Sequence, residues 1–379
     1  MLVERNTHSR KMRSFRSFFL FASFCFSFTP AASFDVFPLQ VNGFFGTPGQ
    51  PAVLLGDLNA EGVWLISSEC SACSHTSFDP SSSSTFRNES TAQRRQFGPP
   101  LDDQTADCGG YSATDRVLLI PEIHVENETQ SGSFSLITAI NGDDPTVLSA
   151  TAQFDGRIGL GLTSGKNGDS MAFDLLFGGF DRLLCVGTVG DDETWMEVGR
   201  AALEKRIKYT NLTSAAARPP ADRPAGWEFD ASSWSFGAYT TSASFSVLLS
   251  TTTAFIHAPS ALVDLLVAQL NAREDPSGEL QVDCEWLTKS PEFQVEIGDV
   301  DVSVPPAAFI LQLVGSLPPS LFITLVLDDE MCLLQFRRLG AADRFVLGRP
   351  LLVAHSLCLD FDLSVVSFLD ARLKPNEDA

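Results

Sequence analysis

The chain has 379 residues, of which 44% are hydrophobic and 10% aromatic, so it can form one or two packed cores and does not have a disordered composition. Its 26 Lys and Arg residues against 47 Asp and Glu residues give a formal net charge of -21 at pH 7. An acidic chain would be repelled by a phosphate backbone, so no nucleic-acid partner is expected. Because the acidic excess is spread along the chain, we interpret it as a contribution to solubility.

The first 33 residues are typical of a secretory signal peptide. Four basic residues between positions 10 and 16 precede the apolar run 18–28, and small residues follow at 31–33. The run is too short to cross a bilayer, and no later segment reaches roughly 18 uninterrupted apolar residues. We therefore expect no membrane association after cleavage, and a location that is secreted or endolysosomal.

Three Asn-X-Ser/Thr triplets fit the same route through the cell. They begin at Asn88, Asn127 and Asn211. Together with the signal they predict N-linked glycosylation.

The cysteines fit an oxidising compartment. Cys25 lies in the signal, which leaves seven others: Cys70, Cys73, Cys108, Cys185, Cys284, Cys332 and Cys358. Seven is odd, so one of them should lie outside any disulfide. The run CSACSH at 70–75 has no second pair or histidine cluster that would complete four ligands, so we expect a short disulfide loop there and no metal. No cofactor is expected.

The hydrophobic pattern predicts an all-β protein. Short segments rich in Val, Ile, Phe and Leu alternate with clusters of Gly, Pro, Ser and Asp, at 115–126, 132–140, 292–304 and 357–370. The clearest helix covers 260–271, where Pro259 precedes a possible Ser260 cap and a leucine stripe should face the core. The proline content of residues 215–226 predicts a loop there.

Six short motifs follow one another along the chain. They are GTPGQ (46–50), Trp64 with its apolar neighbours, FDPSSSSTF (78–86), FDGRIGLGL (154–162), FGGFD (177–181) and FVLGRPLL (345–352). In this order they resemble the signatures of pepsin-like aspartic peptidases of the eukaryotic two-lobed A1 type, and the cysteine placement is most similar to secreted nematode members. The resemblance covers residues 34–372 and implies two β-barrel lobes that face each other across a peptide-binding cleft.

The same resemblance implies a domain layout and a disulfide pattern. We expect an N-terminal lobe at 34–175 that is shortened, a C-terminal lobe at 176–372 with an insertion near 186–206 and the loop at 215–226, and a tail at 373–379. The implied bridges are Cys284 with Cys332, Cys185 with Cys358, and Cys70 with Cys73. Cys108 remains outside them.

The chemistry of this family requires two Asp-Thr-Gly loops, because two close carboxyl groups share one proton and act as acid and base in turn. Aligned on Trp64, the first triplet falls on residues 57–59, Asp-Leu-Asn, where Asp57 remains but the neighbouring hydroxyl and glycine are lost. The second falls on residues 250–252, Ser-Thr-Thr, where Ser250 replaces the aspartate. A serine hydroxyl cannot share the proton, so we interpret Asp57 as a remnant. The altered neighbours should also misplace the two loops.

Three functions remain open. The first is a secreted, catalytically inactive pseudopeptidase that keeps a cleft for an extended peptide or protein ligand. The second is an active aspartic endopeptidase whose second carboxylate comes from elsewhere, such as Asp102 or Asp103, which lie near the position of the family's flap tyrosine. The third is a structural secreted protein without a cleft function. In each case we expect a monomer.

Overall fold

The computed structural model describes residues 39–71, 73, 78–97, 106–120, 130–141, 154–162, 182–189, 193–198, 213–217, 226–275, 278–312 and 331–370. All of them belong to one structural unit, Asp35–Ala379. This described part consists mainly of β-strands arranged in four sheets, which confirms the predicted all-β class.

One sheet is built from the first seven strands. They are β1 (Gln40–Phe45), β2 (Gln50–Asp57), β3 (Val63–Ile66), β4 (Arg87–Phe97), β5 (Ala106–Ile120), β6 (Gln130–Asn141) and β7 (Gly156–Gly159), in the order β1-β2-β7-β3-β6-β5-β4. Because β1 also pairs with β5, six of these strands close into a barrel and β4 lies outside the ring. Apolar side chains such as Phe45 and Phe134 pack inside, with ring centroids 5.4 Å apart.

The later strands form three further sheets. They are β8 (Leu183–Val189), β9 (Glu193–Val198), β10 (Thr213–Ala216), β11 (Glu228–Phe236), β12 (Tyr239–Thr241), β13 (Phe245–Leu249), β14 (Ile256–Pro259), β15 (Arg273–Glu274), β16 (Leu280–Asp283), β17 (Phe293–Ile297), β18 (Val300–Val304), β19 (Ile310–Gln312), β20 (Met331–Leu334), β21 (Phe336–Leu339), β22 (Arg344–Leu347), β23 (His355–Asp360) and β24 (Val365–Asp370). Their orders are β18-β17-β11-β13-β22-β14-β21 with β12 on β11, β10-β24-β23-β8-β9, and β15-β16-β20-β19. The first of these sheets carries the second half of the candidate site.

Helices are short in the described part, apart from α1 (Ser260–Leu270), which follows β14. The others are α2 (Trp286–Lys289), α3 (Pro306–Phe309) and α4 (Arg349–Ala354). The predicted helix at 260–271 is therefore confirmed, and it ends one residue early because Asn271 adopts the left-handed conformation at φ 51°. The predicted serine cap is wrong: Pro259 is the N-cap, and the Ser260 hydroxyl donates to the Leu339 carbonyl at 3.4 Å.

The predicted strands also appear where the structure describes them. Residues 292–304 form the β17–β18 hairpin, and 357–370 fall on β23 and β24. Within the predicted insertion at 186–206, β8 pairs with β9 at the edge of the five-stranded sheet. The remainder of that segment lies outside the described residues.

Three disulfides join described residues, and they are the three pairs that the family resemblance implies. Cys70 is bonded to Cys73, and Cys284 to Cys332. The bridge from Cys185 to Cys358 connects β8 to β23, where the two residues are directly opposite in the ladder. Cys108, on β5, is buried and takes part in none of these three bonds.

No helix among the described residues has the length and apolar character needed to cross a membrane.

Candidate active site

The two altered triplets occupy equivalent places in the two halves of the chain. Asp57 is the last residue of β2, which runs parallel to β7, and β7 pairs antiparallel with β3 after the triplet. Ser250 follows β13 directly, β13 runs parallel to β22, and β22 pairs antiparallel with β14 after the triplet. The same strand, loop and strand arrangement is thus repeated, and each triplet lies in the loop.

Each loop is closed by the side chain of its first residue. Oδ1 of Asp57 accepts the Asn59 backbone N–H at 2.7 Å, and the Ser250 hydroxyl accepts the Thr252 N–H at 3.2 Å. This contact to the residue two positions on is a common turn device of Asp and Ser. Ser250 therefore preserves the turn of the second loop, although it brings no ionisable group.

The two loops are in contact through Thr251. Its hydroxyl donates to the Gly56 carbonyl at 2.7 Å and accepts the Leu58 N–H at 3.3 Å, and we call these two bonds the interlobe bridge. Leu58 is fully buried and has no hydroxyl to return the contact. The Thr251 hydroxyl thus joins the two loops from one side only, and the expected misplacement of the loops stays a prediction.

A second link between the halves lies beside the loops. The Trp227 indole N–H donates to the Leu160 carbonyl at 2.9 Å, and the Gly226 N–H donates to the Leu162 carbonyl at 3.3 Å. Trp227 is fully buried and packs edge-on against Phe361, with centroids 5.1 Å apart. These contacts fix the strand end after β7 against the start of β11.

An ion pair at Asp57 is the main feature that the sequence did not reveal. The guanidinium of Arg157, on β7, pairs with Oδ2 of Asp57, and the two side chains are 4% and 0% exposed. Burial lowers the pKa of Arg157 to about 9, which leaves the guanidinium charged at neutral and acid pH. A signal was available in the motif FDGRIGLGL, because Arg157 is a charge within a strand expected to be buried.

The Asn59 amide is the second unforeseen feature. Asn59 is 7% exposed, and neither its Oδ1 nor its Nδ2 has a hydrogen-bond partner among the described residues. The amide lies next to Gly226, where a Cβ would come within 3.2 Å of Asn59 Oδ1. Asn59 thus places a polar group in a tightly packed contact between the two halves.

A buried histidine lies behind the second loop. His257 Nε2 is 2.9 Å from the Thr253 hydroxyl. Burial, with a smaller contribution from the charge of Arg337, lowers the pKa of His257 to about 4. Arg337 itself lies 3.8 Å above the Phe255 ring and pairs with Glu279 at 3.5 Å. The imidazole is therefore neutral at neutral pH.

Several predicted residues lie outside the described part of the chain. These are Asp102, Asp103, Asn127 and Asn211. Asp102 and Asp103 fall between β4 and β5, so the possible flap carboxylates remain a prediction. Asn88 is described and is exposed on β4.

Comparison with known proteins identifies the family. The model for "Eukaryotic aspartyl protease" matches residues 44–188 and 197–368, so the chain belongs to that family. It is 25% identical over 283 residues to pepsin A of Bos taurus, covering 70% of this chain and 69% of that protein. It is 26% identical over 308 residues to aspartic protease 1 of Caenorhabditis elegans, covering 74% and 70%. It is 24% identical over 278 residues to vacuolar protease A of Neurospora crassa, covering 72% and 65%.

The chemistry available at the two described loops is limited. They supply one carboxylate, which already has a guanidinium partner, and one serine hydroxyl at the equivalent place. A pair of carboxyl groups that shares a proton is therefore not formed by these two positions. No cluster of three His, Cys, Asp or Glu side chains suited to a metal ion occurs among the described residues.

Proposed function

We propose that the protein is a catalytically inactive member of its family, a secreted pseudopeptidase that binds an extended peptide or protein between its lobes. The observation that carries this proposal is Ser250, which stands in the turn equivalent to Asp57 and is only 1% exposed. Its hydroxyl accepts the Thr252 N–H and lies 3.2 Å from the Thr252 hydroxyl.

A serine in this position removes one half of the reaction. Hydrolysis by this family needs a base that takes a proton from water and an acid that donates one to the scissile carbonyl. A lone carboxylate cannot serve as both in the same step. The remaining scaffold supports ligand binding, because the interlobe bridge through Thr251 keeps the two loops together.

Two alternatives compete with this proposal. An active endopeptidase would need a second carboxylate from elsewhere, and Asp102 or Asp103 are the candidates from the sequence. A purely structural protein would need neither a cleft nor a ligand. The family membership is common to all three, since a fold persists after its site has changed.

The route of the protein through the cell is part of the proposal. The N-terminal signal pattern and the three disulfides favour an oxidising compartment, and the curated relatives include a vacuolar protease. Asn88 is exposed on β4 and is the described candidate for glycosylation. Treatment of secreted protein with an N-glycosidase should reduce its mass, and an Asn88→Gln variant should lose one such step.

The central test measures proteolysis directly. Secreted wild-type protein and an Asp57→Asn variant are incubated with a denatured globular substrate from weakly to strongly acid pH. We expect no cleavage by either. Cleavage by the wild type that disappears in a variant shown by circular dichroism to be folded would favour the active alternative. Cleavage by both proteins would point to a contaminating protease.

A second assay separates binding from a structural role. Wild-type protein is passed over an immobilised peptide that mimics the tetrahedral intermediate, and over an immobilised extended peptide of ordinary sequence. Retention on either column supports the cleft-binding function. If protein shown to be folded by its cooperative unfolding passes through both columns without retention, the structural alternative is favoured.

A further inference from the structure

The register of the first barrel brings Arg157 and Asp57 to the same face of the sheet. In the parallel pair of β2 and β7, Arg157 is opposite Leu55 and Gly159 is opposite Asp57. Residues two apart along a strand point to the same side, so Arg157 is the diagonal neighbour of Asp57. Gly159 leaves no side chain between them, and a Cβ there would lie 2.4 Å from the Ala60 carbonyl.

The Asp57–Arg157 pair brings one negative and one positive charge together beside the first loop. Both members of the pair are almost fully buried. The polar side chains of the two loops other than Asp57, which are Asn59, Ser250, Thr251 and Thr252, carry no charge. A buried carboxylate without a partner is strongly disfavoured, and a guanidinium, which does not readily lose its proton, can compensate its charge.

We infer that Arg157 has replaced the second carboxyl group as the electrostatic partner of Asp57, and that this ion pair holds the remnant aspartate in its ionised form. The inference rests on the proposed loss of catalysis and extends it. A catalytic pair of carboxyl groups shares a proton. A carboxylate that is paired with a guanidinium is favoured in its ionised form and does not bind that proton. Arg157 is thus a positioning residue that keeps Asp57 out of acid–base chemistry, independently of what occupies position 250.

The stability of four proteins tests the pair: wild type, Arg157→Leu, Asp57→Asn, and the double variant, each unfolded in urea. Each single variant removes one member of the buried pair and leaves the charge of the other without this compensation. We expect each to raise the unfolding equilibrium constant by on the order of a hundredfold to a thousandfold at pH 7. The double variant removes both charges and should be more stable than either single variant. If the losses in unfolding free energy of the two single variants simply add in the double variant, the inference is overturned.

An exposed ion pair supplies the matched control. Arg338 and Asp264 are in contact at 3.0 Å, with side chains 35% and 61% exposed. Because Arg338 also pairs with Glu274 at 2.8 Å, only the coupling between Arg338→Leu and Asp264→Asn is compared, and it should change the unfolding constant by no more than about fivefold. A coupling at Arg157 and Asp57 no larger than this control would also count against the inference.

The pH dependence separates an electrostatic role from mere packing. In Arg157→Leu, the isolated Asp57 must take up a proton to remain buried, so its folded state binds a proton that the unfolded state releases. The destabilisation of this variant should therefore grow as pH rises from 5 to 7, by at most about tenfold in the unfolding constant per pH unit. In the Arg157→Leu/Asp57→Asn protein that growth should vanish. Equal destabilisation at pH 5 and pH 7 would mean that Arg157 acts through packing alone, and would overturn the inference.

These measurements are independent of the proteolysis assay. Cleavage by the wild type would refute the proposed loss of catalysis, but it would not change the coupling measured between Arg157 and Asp57. An inactive protein without this coupling would refute only the role proposed for Arg157.

Discussion

Single residues decide how much of the ancestral chemistry remains at the two loops. Ser250 retains the backbone contact that an aspartate can make and loses the ionisable group. Thr251 retains a hydroxyl that bonds across to Gly56 and Leu58. The second loop therefore has polar groups that shape it but no ionisable side chain, while the first loop has the carboxylate of Asp57 but the apolar Leu58 beside it.

The interlobe bridge can be tested at Thr251. Thr251→Val keeps the size of the side chain but leaves the buried Gly56 carbonyl and Leu58 N–H without their partner, so we expect a loss of about 1–3 kcal/mol in the free energy of unfolding. The control is Thr240→Val, since Thr240 is exposed on β12 and should lose less than about 0.5 kcal/mol. Urea denaturation measures both. An equal loss for the two variants would show that the bridge contributes nothing to stability.

At the scale of elements, repeated strand pairs place the two loops, and disulfides join strands that are far apart in the chain. The Cys185–Cys358 bridge spans 173 residues and links neighbouring strands of one sheet, whereas Cys70–Cys73 spans only 3. A crosslink that closes a long loop restricts the unfolded chain more than one that closes a short loop. The long bridge should therefore dominate the stabilisation from crosslinks.

That difference can be measured by removing each bridge in turn. In the chain-entropy account, replacing Cys185 and Cys358 by Ala should cost about 5 kcal/mol, and replacing Cys70 and Cys73 by Ala about 2 kcal/mol. Thermal unfolding of both variants, at the same pH and protein concentration, provides the comparison. A larger loss from the short bridge would show that native-state packing around Cys70, rather than loop length, controls the effect.

The elements also show what the sequence could predict. Local patterns were sufficient for α1 and for the β17–β18 hairpin, because alternation and helical spacing are properties of neighbouring residues. They were insufficient for the ion pair, since Arg157 and Asp57 are brought together only by the register of β2 with β7. The same holds for the contact of Asn59 with Gly226, which are far apart in the chain.

At the scale of the whole molecule, the fold buries a few ionisable groups within a strongly acidic chain of net charge -21. Asp57 and Arg157 compensate each other. His257 is compensated differently, because it remains uncharged and contacts Thr253. The stability of the protein should therefore depend on pH through His257, which lies near the second loop and away from the ion pair at the first.

The last prediction concerns this dependence of stability on pH. The pKa of His257 falls from 6.5 to about 4 on folding, so between these values the unfolded state binds a proton that the folded state excludes. Its contribution is fully present above pH 6.5 and is lost as the pH falls to 4. The difference corresponds to a loss of about 3 kcal/mol in the free energy of unfolding. His257→Gln keeps an amide that can bond to Thr253 but cannot take up the proton. The difference in stability between wild type and this variant should be constant above pH 7 and shift by that amount, against the wild type, between pH 6.5 and 4. Parallel curves in urea unfolding across this range would show that the buried imidazole does not govern the acid sensitivity of the fold.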